Sequence, residues 1–318
     1  MTDWIALPHD PHPMLQAGCS LLLEQAALVI ELRPGLAVPT VALDHHSPTS
    51  AFSVLADPAI GISVLHRQGR TLRRHSLPGP LPDLSSGALI TFAWDAPGRV
   101  WALSVTTPDC TPPHRATGPD PIALPAQDGW TLCQTTDHPM LHWCGLRRLR
   151  HTPTGTTLVG HGTRIATPQG DRPAHSLRPG DQLLCPDGPP LTLRALRSAE
   201  LPHHGSLAPV ILRAGHFPIR HDLLVAPQTV LRLQGEDVDY VFGRDHVLIA
   251  AQDFTDPRFA LRHRIGRSTR MVGLVTDRPG LILTDGLALH TGPTPRTLRP
   301  YESAALMAAS RGTPLRAA

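Results

Sequence analysis

Apolar and polar residues alternate in short runs along most of the chain, and Gly, Pro or Asp separates one run from the next. In the first half these runs are residues 38–43, 51–55, 60–67, 72–76, 88–94 and 100–105. Alternation with period two puts one set of side chains on each face of a pleated strand, so each run predicts a half-buried β-strand. Short strands recurring at roughly ten-residue spacing predict a sandwich or barrel. Residues 21–32 form the most apolar run. Glu24, Gln25, Ala26 and Ala27 would suit a helix, but Cys19-Ser20 on one side and Arg33-Pro34-Gly35 on the other favour two β segments around a turn. Residues 88–105 read as an antiparallel hairpin closed by Asp95-Ala96-Pro97-Gly98, with Trp94 and Trp101 as core. Residues 106–125 read as a Pro/Asp/Thr-rich connection, and residues 130–143 as two further β pieces.

The second half is organised around residues 162–184. Two β runs flank a turn at Pro168-Gln169-Gly170, and a segment ending in Ser176-Leu177 meets a second turn, Arg178-Pro179-Gly180-Asp181. Leu183-Leu184 then starts a strand, the Gly and Pro residues fixing the reversals. Strand-like runs follow at 191–197, 210–214, 222–233, 240–249, 271–276 and 281–289. Residues 301–310 combine good helix formers with Glu302 in the first turn, which predicts a short surface helix followed by a frayed tail. The expected organisation is all-β: a flexible arm over 1–15, a jelly-roll-like β-sandwich over 16–150, a second β fold over 156–300, and the short helix and tail over 301–318.

Composition narrows the function. The chain has 318 residues, 41% of them hydrophobic and only 17% charged, so it can bury real cores and is no polyelectrolyte. With 35 Pro and 26 Gly, long helices are not expected. All 29 basic residues are Arg, the mark of a GC-rich genome, so Lys-based Schiff-base and phosphate-loop chemistry is excluded. A formal charge of +3 without clustered cations gives no nucleic-acid face; the run from Arg147 to His151 reads as a solvated linker. Five widely spaced cysteines, Cys19, Cys110, Cys133, Cys144 and Cys185, do not make a disulfide framework. No secretory signal and no membrane-span-length stretch is readable. The expectation is a soluble bacterial protein, cytoplasmic or exported by a non-classical route, with no cofactor.

Residues 162–184 resemble the opening of the hedgehog/intein (Hint) module, a self-processing all-β fold. The resemblance is carried by Gly162, Thr163, Arg164, Ile165, Ala166, Thr167, Pro168, Gly170, Gly180 and Asp181. It continues through Asp222, Leu223, Leu224, Val225, Pro227 and Gln228, then Phe242 and Gly243, and ends at Asp277, Arg278 and Gly286. Residues 20–135 are similar to laminin-G or concanavalin-like sandwiches, with no recognisable sugar- or calcium-binding set.

The Hint resemblance implies a chemistry that can be laid on this chain residue by residue. In the family, a thiol or hydroxyl on the domain's first residue attacks the preceding carbonyl to make a (thio)ester. A His protonates the departing amide nitrogen, and inteins add a terminal Asn that cyclises. The nucleophile position falls on Leu158, and the two His positions fall on Thr229 and Pro279. Sliding the register to Thr156 or Thr157 breaks the strand phase. Other candidates are His161 in a Gly-rich turn, Asp181 as turn cap or base, Cys185 as a displaced thiol, and His138 in a Thr-x-x-His-Pro motif. His203, His204, His216 and His221 show no shared metal spacing. Cys133, His138, His142 and Cys144 have Zn-ligand chemistry, but C-x4-H-x3-H-x-C matches no common finger. The reading is a degenerate Hint module without self-cleavage, not an enzyme, that binds or scaffolds a protein or glycan partner. Its competitor is an autoprocessing module that cuts its own backbone near residues 157–161.

Overall fold

The computed structural model describes residues 3–9, 21–107, 113–135, 138–149, 157–254, 256–293 and 295–310. The chain divides into two compact units, residues 1–150 and 151–318. Cys19, Cys110, Arg150, His151, Thr156 and the C-terminal tail lie outside the described residues.

The first unit pairs a six-stranded with a four-stranded antiparallel sheet. The larger sheet runs Trp4–Ala6, Leu141–Arg148, Gln25–Leu32, Ala88–Asp95, Val100–Thr106, His114–Pro119. The smaller runs Thr40–His46, Ser50–Asp57, Gly61–Gln68, Thr71–Pro78. One apolar cluster draws Leu28, Ile30 and Phe92 from the first sheet and Phe52, Val54 and Leu77 from the second, which makes the unit a sandwich. The predicted hairpin is present, with Trp94 opposite Trp101 and both buried. Asp95 Oδ1 accepts from Gly98 N at 2.8 Å in its turn, and Trp94 Nε1 donates to the Leu23 carbonyl at 2.8 Å. Gly61 is required where it stands: its φ is +119°, and a Cβ there would lie 2.0 Å from the Leu77 carbonyl oxygen.

Three expectations for this unit fail. Residues 106–125 are more than a connection, since His114–Pro119 adds an edge strand to Val100–Thr106. An edge strand exposes one row of N–H groups, so it tolerates Pro119. Residues 130–143 are not two strands: Ala126–Gln134 is a helix and Leu141–Arg148 a strand. The helix buries Ala126, Gly129, Leu132 and Cys133, a spacing of three to four that lies on one helical face. Arg147 is not a solvated linker residue, for it pairs with Ala27 inside the sheet. Burial pushes its pKa down against the pull of Asp3.

The second unit holds a seven-stranded and a six-stranded antiparallel sheet. The first is ordered Gln182–Cys185, Gly188–Pro202, Ser268–Thr276, Thr157–Gly160, Leu223–Val225, Val210–Leu212, Ala260–Arg262. The second is ordered Gly170–Pro173, Arg164–Thr167, Gly280–Thr284, Leu287–Thr291, Val230–Gln234, His246–Ala250. Val159, Leu193, Val225 and Leu274 share one core with Ile165, Leu231, Ile249 and Leu289. Tyr240 belongs to a helix, Glu236–Phe242, rather than to a strand. Acidic residues fill its first turn and Gly243, in the left-handed conformation, stops it. The C-terminal helix, Pro300–Ala309, is not a mere surface element, because Leu306 and Met307 enter the core.

The sandwich core also contains two histidines. His66 and His75 are each 1% exposed, and none of their four ring nitrogens has a hydrogen-bond partner among the described residues. His66 meets Phe52 edge-on at 5.2 Å, and His75 lies 5.0 Å from both Phe92 and Trp101. Burial lowers His66 to about 4, with His75 adding to the shift and Asp128 opposing it. Burial lowers His75 to about 4 as well, with Arg73 adding to it. Both rings are therefore neutral at pH 7, whereas in the unfolded chain they take up protons near pH 6.5. The unfolded state binds more protons below pH 6.5, so stability falls as pH drops from 6.5 toward 4. For His66 alone the loss at pH 5 is roughly 2 kcal/mol. Urea unfolding followed by Trp emission should show a lower midpoint at pH 5 than at pH 7, and His66→Leu should shrink that difference.

Candidate functional site

The second unit's chain crosses between its two sheets at three places that matter here. The crossing at residues 161–163 joins Thr157–Gly160 to Arg164–Thr167. The crossing at 226–229 joins Leu223–Val225 to Val230–Gln234, and that at 277–279 joins Ser268–Thr276 to Gly280–Thr284. Leu158 stands just before the first, Thr229 closes the second and Pro279 closes the third.

Leu158 and Thr229 do meet. The Leu158 carbonyl accepts from Ala226 N at 3.0 Å and from Thr229 Oγ1 at 3.2 Å. Thr229 is 5% exposed, and its own backbone is held by Ala226 O at 3.0 Å and Ala251 N at 2.8 Å. Thr157, the preceding residue, is 6% exposed and donates its hydroxyl to the His290 carbonyl at 2.7 Å. On its other side the strand pairs with Ser268–Thr276, Leu158 lying opposite Gly273. Pro279 packs on Gly292, whose added Cβ would lie 2.9 Å from the proline Cβ. Nearby, Thr276 and Thr291 hydroxyls share a hydrogen bond at 2.9 Å, and Thr291 Oγ1 donates to Gly280 O at 3.3 Å.

Chemically this set is poor in reactive groups. Leu158 offers only hydrocarbon. The Thr229 hydroxyl can donate a hydrogen bond but cannot exchange a proton at neutral pH as an imidazole does. Pro279 has neither a titratable group nor an N–H.

The remaining candidates fall elsewhere. His161 is exposed and stacks on His175, with ring centroids 4.5 Å apart and planes at 10°. The His161 carbonyl accepts from His175 N at 3.3 Å and lies 2.9 Å from His175 Nδ1. Asp181 caps its turn: Oδ2 accepts from Arg178 N at 2.8 Å and from Arg172 Nη1 at 2.9 Å. Cys185 ends the strand Gln182–Cys185, half-buried and packed against the core. His138 lies in the first unit, where its Nδ1 accepts from Met140 N at 3.2 Å. Cys133 and Cys144 are buried in the sandwich core, while His142 is exposed with Nδ1 3.3 Å from Glu31 Oε1. Among the described residues no group of three or more His, Cys, Asp or Glu could hold a metal ion.

One imidazole near the first crossing was not singled out from the sequence. His290 sits on the strand whose carbonyl holds Thr157, and burial lowers its pKa. Its position in an ordinary alternating run gives no local signal.

Comparison with known proteins finds one match within this unit. A family model described as the Hint domain matches residues 159–292. No curated protein matches the chain. Among solved structures, the mouse laminin alpha1 chain, domains LG4-5, aligns over 92% of this chain and 75% of its own length. The identity is 12% and the TM-score 0.28, too low to support an argument about either unit. None of the described helices is long and apolar enough to cross a membrane.

The Asp181 geometry gives a direct test of its role. Removing a carboxylate that accepts one backbone and one guanidinium hydrogen bond costs about 1–2 kcal/mol at a partly exposed site. Asp181→Ala should therefore lower the unfolding midpoint in urea, whereas a base without a structural role would leave it unchanged.

Proposed function

We propose, on the premise that residues 159–292 are a Hint domain, that this module keeps the fold and does not cut its own backbone, so that the chain acts as a binding or scaffold protein. The single observation behind this reading is the Leu158–Thr229 pair. A nucleophile should precede the matched region and attack the carbonyl of residue 157, and a hydrocarbon side chain stands there. The imidazole position holds a hydroxyl that is engaged with the Leu158 carbonyl. Lacking both the attacking atom and a proton donor of suitable pKa, the peptide bond between residues 157 and 158 keeps an ordinary amide's stability. Intein-type completion is also unsupported, because none of the 318 residues is Asn. A protein or glycan is the partner class we assign to it.

The competing reading is autoprocessing near residues 157–161. In its favour is the stacked pair His161 and His175, of which His161 stands three residues past Leu158. Against it, the nearest hydroxyl, Thr157 Oγ1, is buried and donates to the His290 carbonyl.

Intact mass measured after prolonged incubation with and without dithiothreitol or hydroxylamine separates the two. The degenerate reading predicts one species of 34.3 kDa under all conditions. Two fragments summing to that mass, with a break at residues 157–161, would establish autoprocessing instead.

A further inference from the structure

We propose that the second unit carries a binding site for a small organic anion, a carboxylate or phosphate on a compact aromatic body, in the cavity between the end of the helix Glu236–Phe242 and the start of Pro300–Ala309. The cavity measures about 300 Å³, at the small end of the range for ligand sites. Phe242, Val247, Leu248 and Leu298 supply its apolar wall. Leu298 N donates to Leu248 O at 2.8 Å, which ties the wall together. Such a wall buries a flat hydrocarbon body well and gives a free charge no reason to enter.

The charge at the mouth decides the ligand class. Arg244, His246 and Arg296 line the cavity and are exposed. Neither Arg244 nor Arg296 makes a hydrogen bond or ion pair among the described residues. Glu302 also lines it, but its Oε2 is taken by the Arg299 backbone N–H at 2.7 Å, as part of the helix cap. Two guanidinium groups without partners at the rim of an apolar cavity fit a carboxylate or phosphate, which they can grip through paired N–H donors.

Two exposed tyrosines stand on the helices beside the cavity without lining it. The chain has only two, Tyr240 and Tyr301, and they are 88% and 65% exposed. They stand on the two helices that bound the cavity, close in sequence to Phe242 and Glu302. Exposed tyrosine is a residue of recognition surfaces, offering aromatic contact with little rotamer entropy to lose. This site lies apart from the Leu158–Thr229 pair, so it stands or falls independently of the self-cleavage question.

Amide chemical-shift titration of the full chain tests the site with four probes: phenyl phosphate, benzoate, inorganic phosphate and benzyl alcohol. Phenyl phosphate or benzoate should shift resonances of residues 242–248 and 296–302 saturably, at least tenfold tighter than inorganic phosphate or benzyl alcohol. The variant Arg244→Gln/Arg296→Gln, whose side chains are exposed, should fold normally and weaken that binding at least tenfold. Preference for phenyl phosphate or for benzoate identifies which anionic head the rim selects. No saturable shift with either aromatic anion, equal binding of inorganic phosphate, or a less than threefold change in the variant would overturn the proposal.

Discussion

The carbonyl oxygen of Leu158 carries two hydrogen bonds, one from Ala226 N and one from the Thr229 hydroxyl, and this small clamp ties the strand Thr157–Gly160 to the 226–229 crossing between the two sheets of the second unit. The strand Thr157–Gly160 lies inside the seven-stranded sheet, between Ser268–Thr276 and Leu223–Val225. Immediately after it the chain leaves that sheet for the other. A strand of four residues has few ladder bonds to fix it, so the additional donors at the 226–229 crossing hold its phase. A shift by one residue would turn Val159 out of the core and Leu158 in, and the core admits no such exchange. The same two donors fill the hydrogen-bonding capacity of the Leu158 carbonyl from one side of the strand.

The residues that make the reversals of this fold hold it by means that no reaction requires. The Gly, Pro and Asp residues that make the reversals, such as Gly180 and Asp181, act through backbone conformation and local hydrogen bonds. They hold the fold whether or not the module reacts. Thr229 likewise acts structurally, its hydroxyl satisfying the Leu158 carbonyl at 3.2 Å. Fold and function are separable in general, and a family-model match over residues 159–292 speaks to the first alone.

Much of the fold was legible because a half-buried strand writes itself into the sequence. Residues 88–105 and 164–173 show the alternation and the turn residues, and they pair as expected. The helices at Ala126–Gln134 and Glu236–Phe242 were not legible in the same way, being only nine and seven residues long. In so short a segment three or four apolar residues fit either period, although Glu236, Asp237 and Gly243 were usable start and stop signals. Leu158 and Thr229 could be named from motif spacing, but the hydrogen bond between them depends on pairing across 71 residues and left no local mark. His66 and His75 were missed altogether, since a histidine at an inward strand position looks like any other polar interruption. The cavity lined by Arg244 and Arg296 was equally hidden, because its walls come from separated segments.

The most direct test of the central claim is to restore the missing pair. If the scaffold is intact and only its reactive atoms are gone, Leu158→Cys combined with Thr229→His should acquire thiol-dependent cleavage between residues 157 and 158, read by mass spectrometry after addition of dithiothreitol. The account predicts that break in the double variant and none in the unaltered chain. An uncleaved double variant, or a break at any other peptide bond, would contradict it.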